Sequence, residues 1–131
     1  MIYSFERDPE SGIMLFDVML DVKYEMRMAF DTGASRTTFD INALLIAEYP
    51  LGNILEESAI ETANGIVKVG VFEAHSLTSF GHTVGNVKVQ VYDFLAHGIL
   101  SDYDGVLGLD FFENTRFSID MTEQTIEVLK K

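Results

Sequence analysis

Apolar and polar residues alternate along much of the chain with a period of two, the signature of strands that bury one face. Val87, Val89 and Val91 are interleaved with Lys88 and Gln90; Val67, Val69 and Val71 repeat the pattern, as do Phe117, Ile119 and Met121. Ile13–Leu20 and Met26–Phe30 read as two strands joined through the polar stretch around Asp21 and Lys23. Asn64-Gly65 lies between the strand-like runs Ile54–Thr62 and Ile66–Leu77. Both of its residues tolerate positive φ, so it predicts a long hairpin with its tip at Ala63, Asn64 and Gly65.

Two segments depart from this texture. Asp40 is a plausible N-cap, and Ile41, Leu44, Leu45 and Tyr49 follow at helical spacing before Pro50 and Gly52 stop the run. A shorter helix is expected from Leu109 over Phe111 and Phe112, ending before Asn114. Many short strands with one or two short helices predict a mainly β fold, a closed or partly closed β-barrel.

The length, 131 residues, fits one domain spanning 1–131. It is small for an enzyme that needs a walled substrate cleft, a first pointer to assembly from two copies. The net charge of −12 sets the chain against phosphate backbones and anionic headgroups, so neither nucleic acid nor membrane is an expected partner. There are no cysteines, which excludes disulfides and thiolate metal sites. Met1 to Glu10 carries four charged residues without a signal-peptide apolar run, and no window reaches the length of a transmembrane helix. These features lead to the expectation of a cytoplasmic protein.

The candidate chemistry lies in Asp31-Thr32-Gly33-Ala34-Ser35, directly after the apolar run Met26–Phe30. An Asp at the end of a buried strand, followed by Gly and small residues, sits where backbone N–H groups can surround its carboxylate. Far downstream, Asp104-Gly105-Val106-Leu107-Gly108-Leu109-Asp110-Phe111-Phe112 places Gly behind an apolar pair. Singly these are a turn and a piece of core. Their order is more specific: strand, Asp-Thr-Gly, hairpin, strand, apolar-apolar-Gly, short helix.

That order resembles the retropepsin-like aspartic proteases over roughly Ile13 to Leu129. The resemblance implies that Asp31 is the catalytic aspartate and that the Thr32 hydroxyl bonds across to a partner's active-site loop. Gly33 is then the glycine that admits the substrate backbone, with Ala34 beside it. Val106, Leu107 and Gly108 support the loop from beneath, and Ala63, Asn64 and Gly65 form the tip of a flap over bound peptide. No cofactor and no metal is implied.

Peptide hydrolysis of this kind needs a base to activate water and an acid to protonate the tetrahedral intermediate. Two carboxylates about 3 Å apart cannot both ionise, so one keeps a proton and the pair supplies both roles. The chain has a single Asp-Thr-Gly and no Asp-Ser-Gly. A homodimer with Asp31 from each copy is therefore expected, acting on peptide or unfolded protein. Ala34 offers no hydroxyl to the carboxylate, unlike a serine there, which leads to the expectation of activity at mildly acidic to neutral pH.

Many viral members carry an acidic residue at the position of Ser35 and an arginine at that of Leu109. Neither is present, so the dimer contact is expected to differ from theirs, and the longer chain looks closer to cellular and bacterial members. A competing reading is a catalytically silent dimerisation or peptide-binding module of the same fold. Other chemistry is less well supported. His75, His82 and His97 lack metal-ligand spacing, Asp102–Gly105 lacks the downstream ligands of a calcium loop, and Ser35 lacks a nucleophile elbow.

Overall fold

The period-two runs form strands, and most of those strands close on one another. The computed structural model describes residues 1–53, 56–62, 65–98 and 102–130. In chain order it comprises β1 (Ile2–Ser4), β2 (Glu6–Arg7), β3 (Met14–Leu20), β4 (Tyr24–Phe30), β5 (Thr38–Asp40), α1 (Ile41–Ile46), β6 (Glu56–Thr62), β7 (Gly65–Ser79), β8 (His82–Tyr92), β9 (Gly105–Leu107), β10 (Arg116–Asp120) and β11 (Thr125–Lys130). Single 3-10 turns cover Leu51–Asn53, Leu95–His97 and Leu109–Phe111.

The larger sheet runs β2-β3-β4-β9-β5-β8-β7-β6, and a further pairing of β3 with β7 closes six of these strands into a barrel. Closure satisfies backbone groups that an open sheet would leave on its edges. Among the described residues, β6 pairs with β7 alone, from Glu56↔Val71 to Thr62↔Gly65, and the Gly65–Val69 end of β7 has no other strand beside it. The expected long hairpin is therefore present as an arm of the barrel. Ala63 and Asn64 of its expected tip lie outside the described residues, and Gly65 opens β7.

Two pairings were not foreseeable from local pattern. β4 runs parallel to β9, with Met28↔Gly105, Ala29↔Val106 and Phe30↔Leu107 in register. β5 runs parallel to β8 through Thr38↔Gln90 and Phe39↔Val91. Gly105 sits where β5 crosses close above: a Cβ there would meet the Thr38 carbonyl oxygen and stand 2.8 Å from the Met28 methyl. Gly is the residue that admits such an approach.

Side chains fill the barrel in two aromatic groups. Phe39 and Phe72 lie with ring centroids 6.0 Å apart, and Phe72 continues to Tyr49 at 5.2 Å and Tyr49 to Tyr24 at 4.9 Å. Phe16, Phe80, Phe111 and Phe112 form the other, and Phe112 reaches Phe117 of β10 at 4.8 Å. That last contact joins the barrel to the three-stranded sheet β1-β11-β10. Tilted and edge-on rings at these separations add to the area they bury.

Where the expected elements differ from those formed, the reason is local. α1 stops at Ile46 rather than Tyr49 because Glu48 adopts a left-handed φ of 59°. Its N–H and that of Tyr49 then turn back to the carbonyls of Leu45 and Leu44, a Schellman arrangement. Asp40 does cap the helix, its Oδ1 accepting from the Asn42 N–H at 3.2 Å. The second expected helix is only the single 3-10 turn Leu109–Phe111. Met121 falls after β10 and is exposed, whereas Gln90, polar in the alternation, is buried against the Thr38 hydroxyl.

The β3–β4 turn is tight, with Asp21 and Val22 both left-handed at φ 52° and 62°. Asp21 also fastens this turn to two other elements. Its Oδ1 accepts from the His75 N–H at 2.7 Å, and its Oδ2 accepts from the Tyr49 hydroxyl at 2.8 Å. Burial, the hydrogen bond to Asp21 and the charge of Asp21 together push the Tyr49 phenol above its ordinary range.

Two stability predictions follow from these turns. Left-handed backbone strains Val22 and Glu48, so Val22→Gly and Glu48→Gly should each raise the unfolding free energy by about 0.5–1 kcal/mol in urea denaturation. A loss at either position would contradict the turn geometry. Tyr49→Phe should cost about 1 kcal/mol at neutral pH through the missing hydrogen bond. Because the folded phenol titrates above the unfolded one, the Tyr49 contribution is complete below pH about 10 and is lost as pH rises beyond it. The fall in stability above that pH should accordingly be shallower in Tyr49→Phe, as measured by urea denaturation from pH 8 to 11.

Candidate active site

The parallel pairing of β4 and β9 sets the site. Because Phe30 and Leu107 are paired, the residues that follow them, Asp31 and Gly108, leave the barrel side by side. The Asp31 N–H donates to the Leu107 carbonyl at 3.2 Å, continuing the ladder one step past the strands. Asp-Thr-Gly and Val-Leu-Gly, 75 residues apart in sequence at Asp31 and Val106, are thereby brought into one structure.

The chain then turns sharply. The Gly33 N–H donates to Asp31 Oδ1 at 2.8 Å, and the Ala34 N–H donates to the Asp31 carbonyl at 3.2 Å. Asp31, Thr32 and Gly33 are exposed, and Ala34 is half-buried. The carboxylate is thus held by backbone from within its own loop and open to solvent outward. That suits a group that must meet water and a second reactant rather than a core partner.

From the other side, Leu109 N–H donates to the Ala34 carbonyl at 2.8 Å and Asp110 N–H to the Ser35 carbonyl at 3.3 Å. The two loops approach so closely that a Cβ on Gly108 would stand 2.7 Å from the Arg36 carbonyl oxygen and 2.9 Å from that of Ala34. Val106 and Leu107 lie in β9, Leu107 fully buried, so the support beneath the loop is a packed strand. Ser35 and Leu109, the positions that differ from viral members, engage here through their backbones.

Two residues escaped the sequence reading. Thr37 is fully buried, and its N–H and hydroxyl both donate to the Asp110 carboxylate. Its hydroxyl also accepts from the Gly108 N–H at 3.1 Å. The one available signal was Asp110 itself, an acid set among apolar residues two positions after Gly108.

Of the remaining candidates, His82 and Asp104 have structural occupations. His82 is buried beside Phe111 and bonds the Phe111 carbonyl at 3.0 Å; His75 is exposed. Asp104 accepts from the Arg27 N–H at 2.8 Å and binds the start of β9 to β4. Among the described residues, no group of three or more His, Cys, Asp and Glu could hold a metal ion, and no helix is long and apolar enough to cross a membrane.

Comparison with known proteins agrees with this geometry. A family model described as aspartyl protease matches residues 16–111, from β3 through the turn after Gly108. Among solved structures, the fold is similar to that of a retropepsin-like aspartic protease from Rickettsia conorii, with a TM-score of 0.69 and 20% identity over 98% of this chain and 89% of that one. No curated protein matches significantly. The chain belongs to the aspartyl protease family, with a retropepsin-like fold.

Proposed function

We propose that the protein is an aspartic endopeptidase whose dyad consists of Asp31 from each of two identical chains. The observation that carries this reading is the placement of Asp31: exposed, tethered through its own turn, and backed by the β9–Gly108 support. One chain supplies one Asp-Thr-Gly, and the mechanism requires two carboxylates sharing a proton. A twofold axis passing beside Asp31 provides the second from a self-complementary contact, with residues 1–131 as one domain in each copy.

In this dyad the ionised carboxylate takes a proton from water as it attacks the scissile carbonyl. The protonated carboxyl donates its proton to the developing oxyanion; as the C–N bond breaks, the proton taken from water passes to the leaving amine nitrogen, and a hydroxyl of the diol returns a proton to the second carboxylate. Thr32 braces the paired loops through its exposed hydroxyl. Gly33, with no side chain, leaves room for the substrate backbone, and Ala34 bounds the floor. Val106, Leu107 and Gly108 hold the loop in place. The β6–β7 arm acts as the flap, with Ala63, Asn64 and Gly65 at its tip, so that a peptide binds extended between flap and floor as an added strand.

Incubation with unfolded protein and peptide libraries from pH 3 to 7 tests the reading. The parent should cleave with a maximum at mildly acidic to neutral pH, and Asp31→Asn should lose at least about a hundredfold in kcat/KM. Cleavage that persists unchanged in Asp31→Asn, or a maximum below pH about 3, would overturn it.

A further inference from the structure

The loop that carries Asp31 is fastened by its own turn at one end, but at the other end it depends on a side chain. After Ser35 the backbone must turn back into β5, and it does so through Thr37, which is fully buried. Its N–H points into the Asp110 carboxylate, 3.0 Å from Oδ1 and 2.9 Å from Oδ2. Its hydroxyl donates to the same Oδ1 at 2.7 Å and accepts from the Gly108 N–H at 3.1 Å. Its carbonyl accepts from the Gln90 N–H at 2.9 Å. Every polar group of Thr37 is therefore engaged, and four of the five bonds run to the Gly108–Asp110 turn.

Asp110 is half-buried, with its carboxylate turned onto Thr37. Among the described residues Asp110 has no ion-pair partner, and the donors on its carboxylate are the N–H and hydroxyl of Thr37. Charge-assisted bonds are shorter and stronger than neutral ones, and several converging on one acceptor fix its position closely. The bonded path from Asp110 reaches Asp31 by two routes. One runs from the Thr37 hydroxyl to Gly108 and on, across the peptide link, to Leu107, whose carbonyl holds the Asp31 N–H; the other runs through the Ser35 and Ala34 carbonyls.

We propose that Asp110 and Thr37 form a clasp that fixes the Asp31 carboxylate in its reactive position, making both positioning residues for peptide hydrolysis. The inference rests on the proposed protease activity. A carboxylate displaced by a fraction of an ångström would still bind substrate but would align water poorly, so the loss falls on turnover rather than binding.

Asp110→Asn keeps the shape but replaces one acceptor oxygen by an N–H₂ group and removes the charge from the remaining bonds, and Thr37→Val keeps the volume but removes the hydroxyl. Each should lower kcat by about tenfold to a hundredfold while KM stays within about twofold. Thr37→Ser, which retains the hydroxyl, should restore kcat to near the parent value. The double variant Asp110→Asn/Thr37→Val should lose no more than the worse single one, because both cut the same path. Asp120→Asn is the control: Asp120 caps the β10–β11 turn by accepting from Thr122 and Glu123 N–H, far along the chain from this loop, and its loss should leave kcat unchanged.

Amide hydrogen exchange supplies a readout that needs no catalysis. In Asp110→Asn the Asp31 and Leu109 amides should exchange faster while those of β3 and β8 keep their protection. Unchanged exchange of those two amides, or a kcat equal to the parent in Asp110→Asn, would overturn the clasp. So would equal kcat in Thr37→Val and Thr37→Ser, a comparison that stands even if Asp110→Asn does not fold. A parent protein that cleaves nothing would instead overturn the proposed protease activity, with the exchange measurement still deciding the clasp.

Discussion

The parallel alignment of β4 with β9 is the constraint on which the site depends. Phe30 opposite Leu107 fixes where each strand ends, and that determines which residues meet when the chain leaves the barrel. A slip of one residue would turn the side chains of β9 over and move Leu107, fully buried, to the opposite face. It would also separate the Asp31 N–H from the Leu107 carbonyl. The barrel closure holds this register, because β9 is flanked by β4 on one side and β5 on the other.

A loop built on that register need not be long or strongly strained to hold a carboxylate in place. Gly108 lets the two backbones approach, and the Leu109, Asp110 and Gly108 N–H groups then bond to carbonyls and the Thr37 hydroxyl. Backbone donors on packed strands hold geometry better than flexible side chains do, which is what catalytic positioning requires. The Asp31 carboxylate stays exposed while the structure below it is buried. Rigidity and access are thus divided between the two sides of one turn.

Much of this was legible in the sequence because it is written in local chemistry. Period-two alternation marked the strands, Asp40 marked the start of α1, and Asp31-Thr32-Gly33 stood out as an acid at a strand end. What could not be read were features set by distant partners. Nothing near Met28 or Gly105 announces that they pair in parallel, since parallel neighbours are joined by long connections. Thr37 looks like one more polar residue before a strand until Asp110, 73 residues away, is placed against it. Val22 and Glu48 adopt left-handed backbone against their local preference, so only the folded turn reveals them. The expected long hairpin is present as antiparallel pairing of β6 and β7 up to Thr62↔Gly65.

In the proposed function the chain is half of a catalytic unit, and subunit mixing tests this most directly. Parent chains and Asp31→Asn chains would be refolded together at constant total concentration and assayed for peptide cleavage. If each active unit needs Asp31 from two copies, activity follows the square of the parent fraction and falls to about one quarter in an equal mixture. If a single chain carries the chemistry, activity follows the fraction itself and falls only to about one half, a result that would contradict the shared dyad.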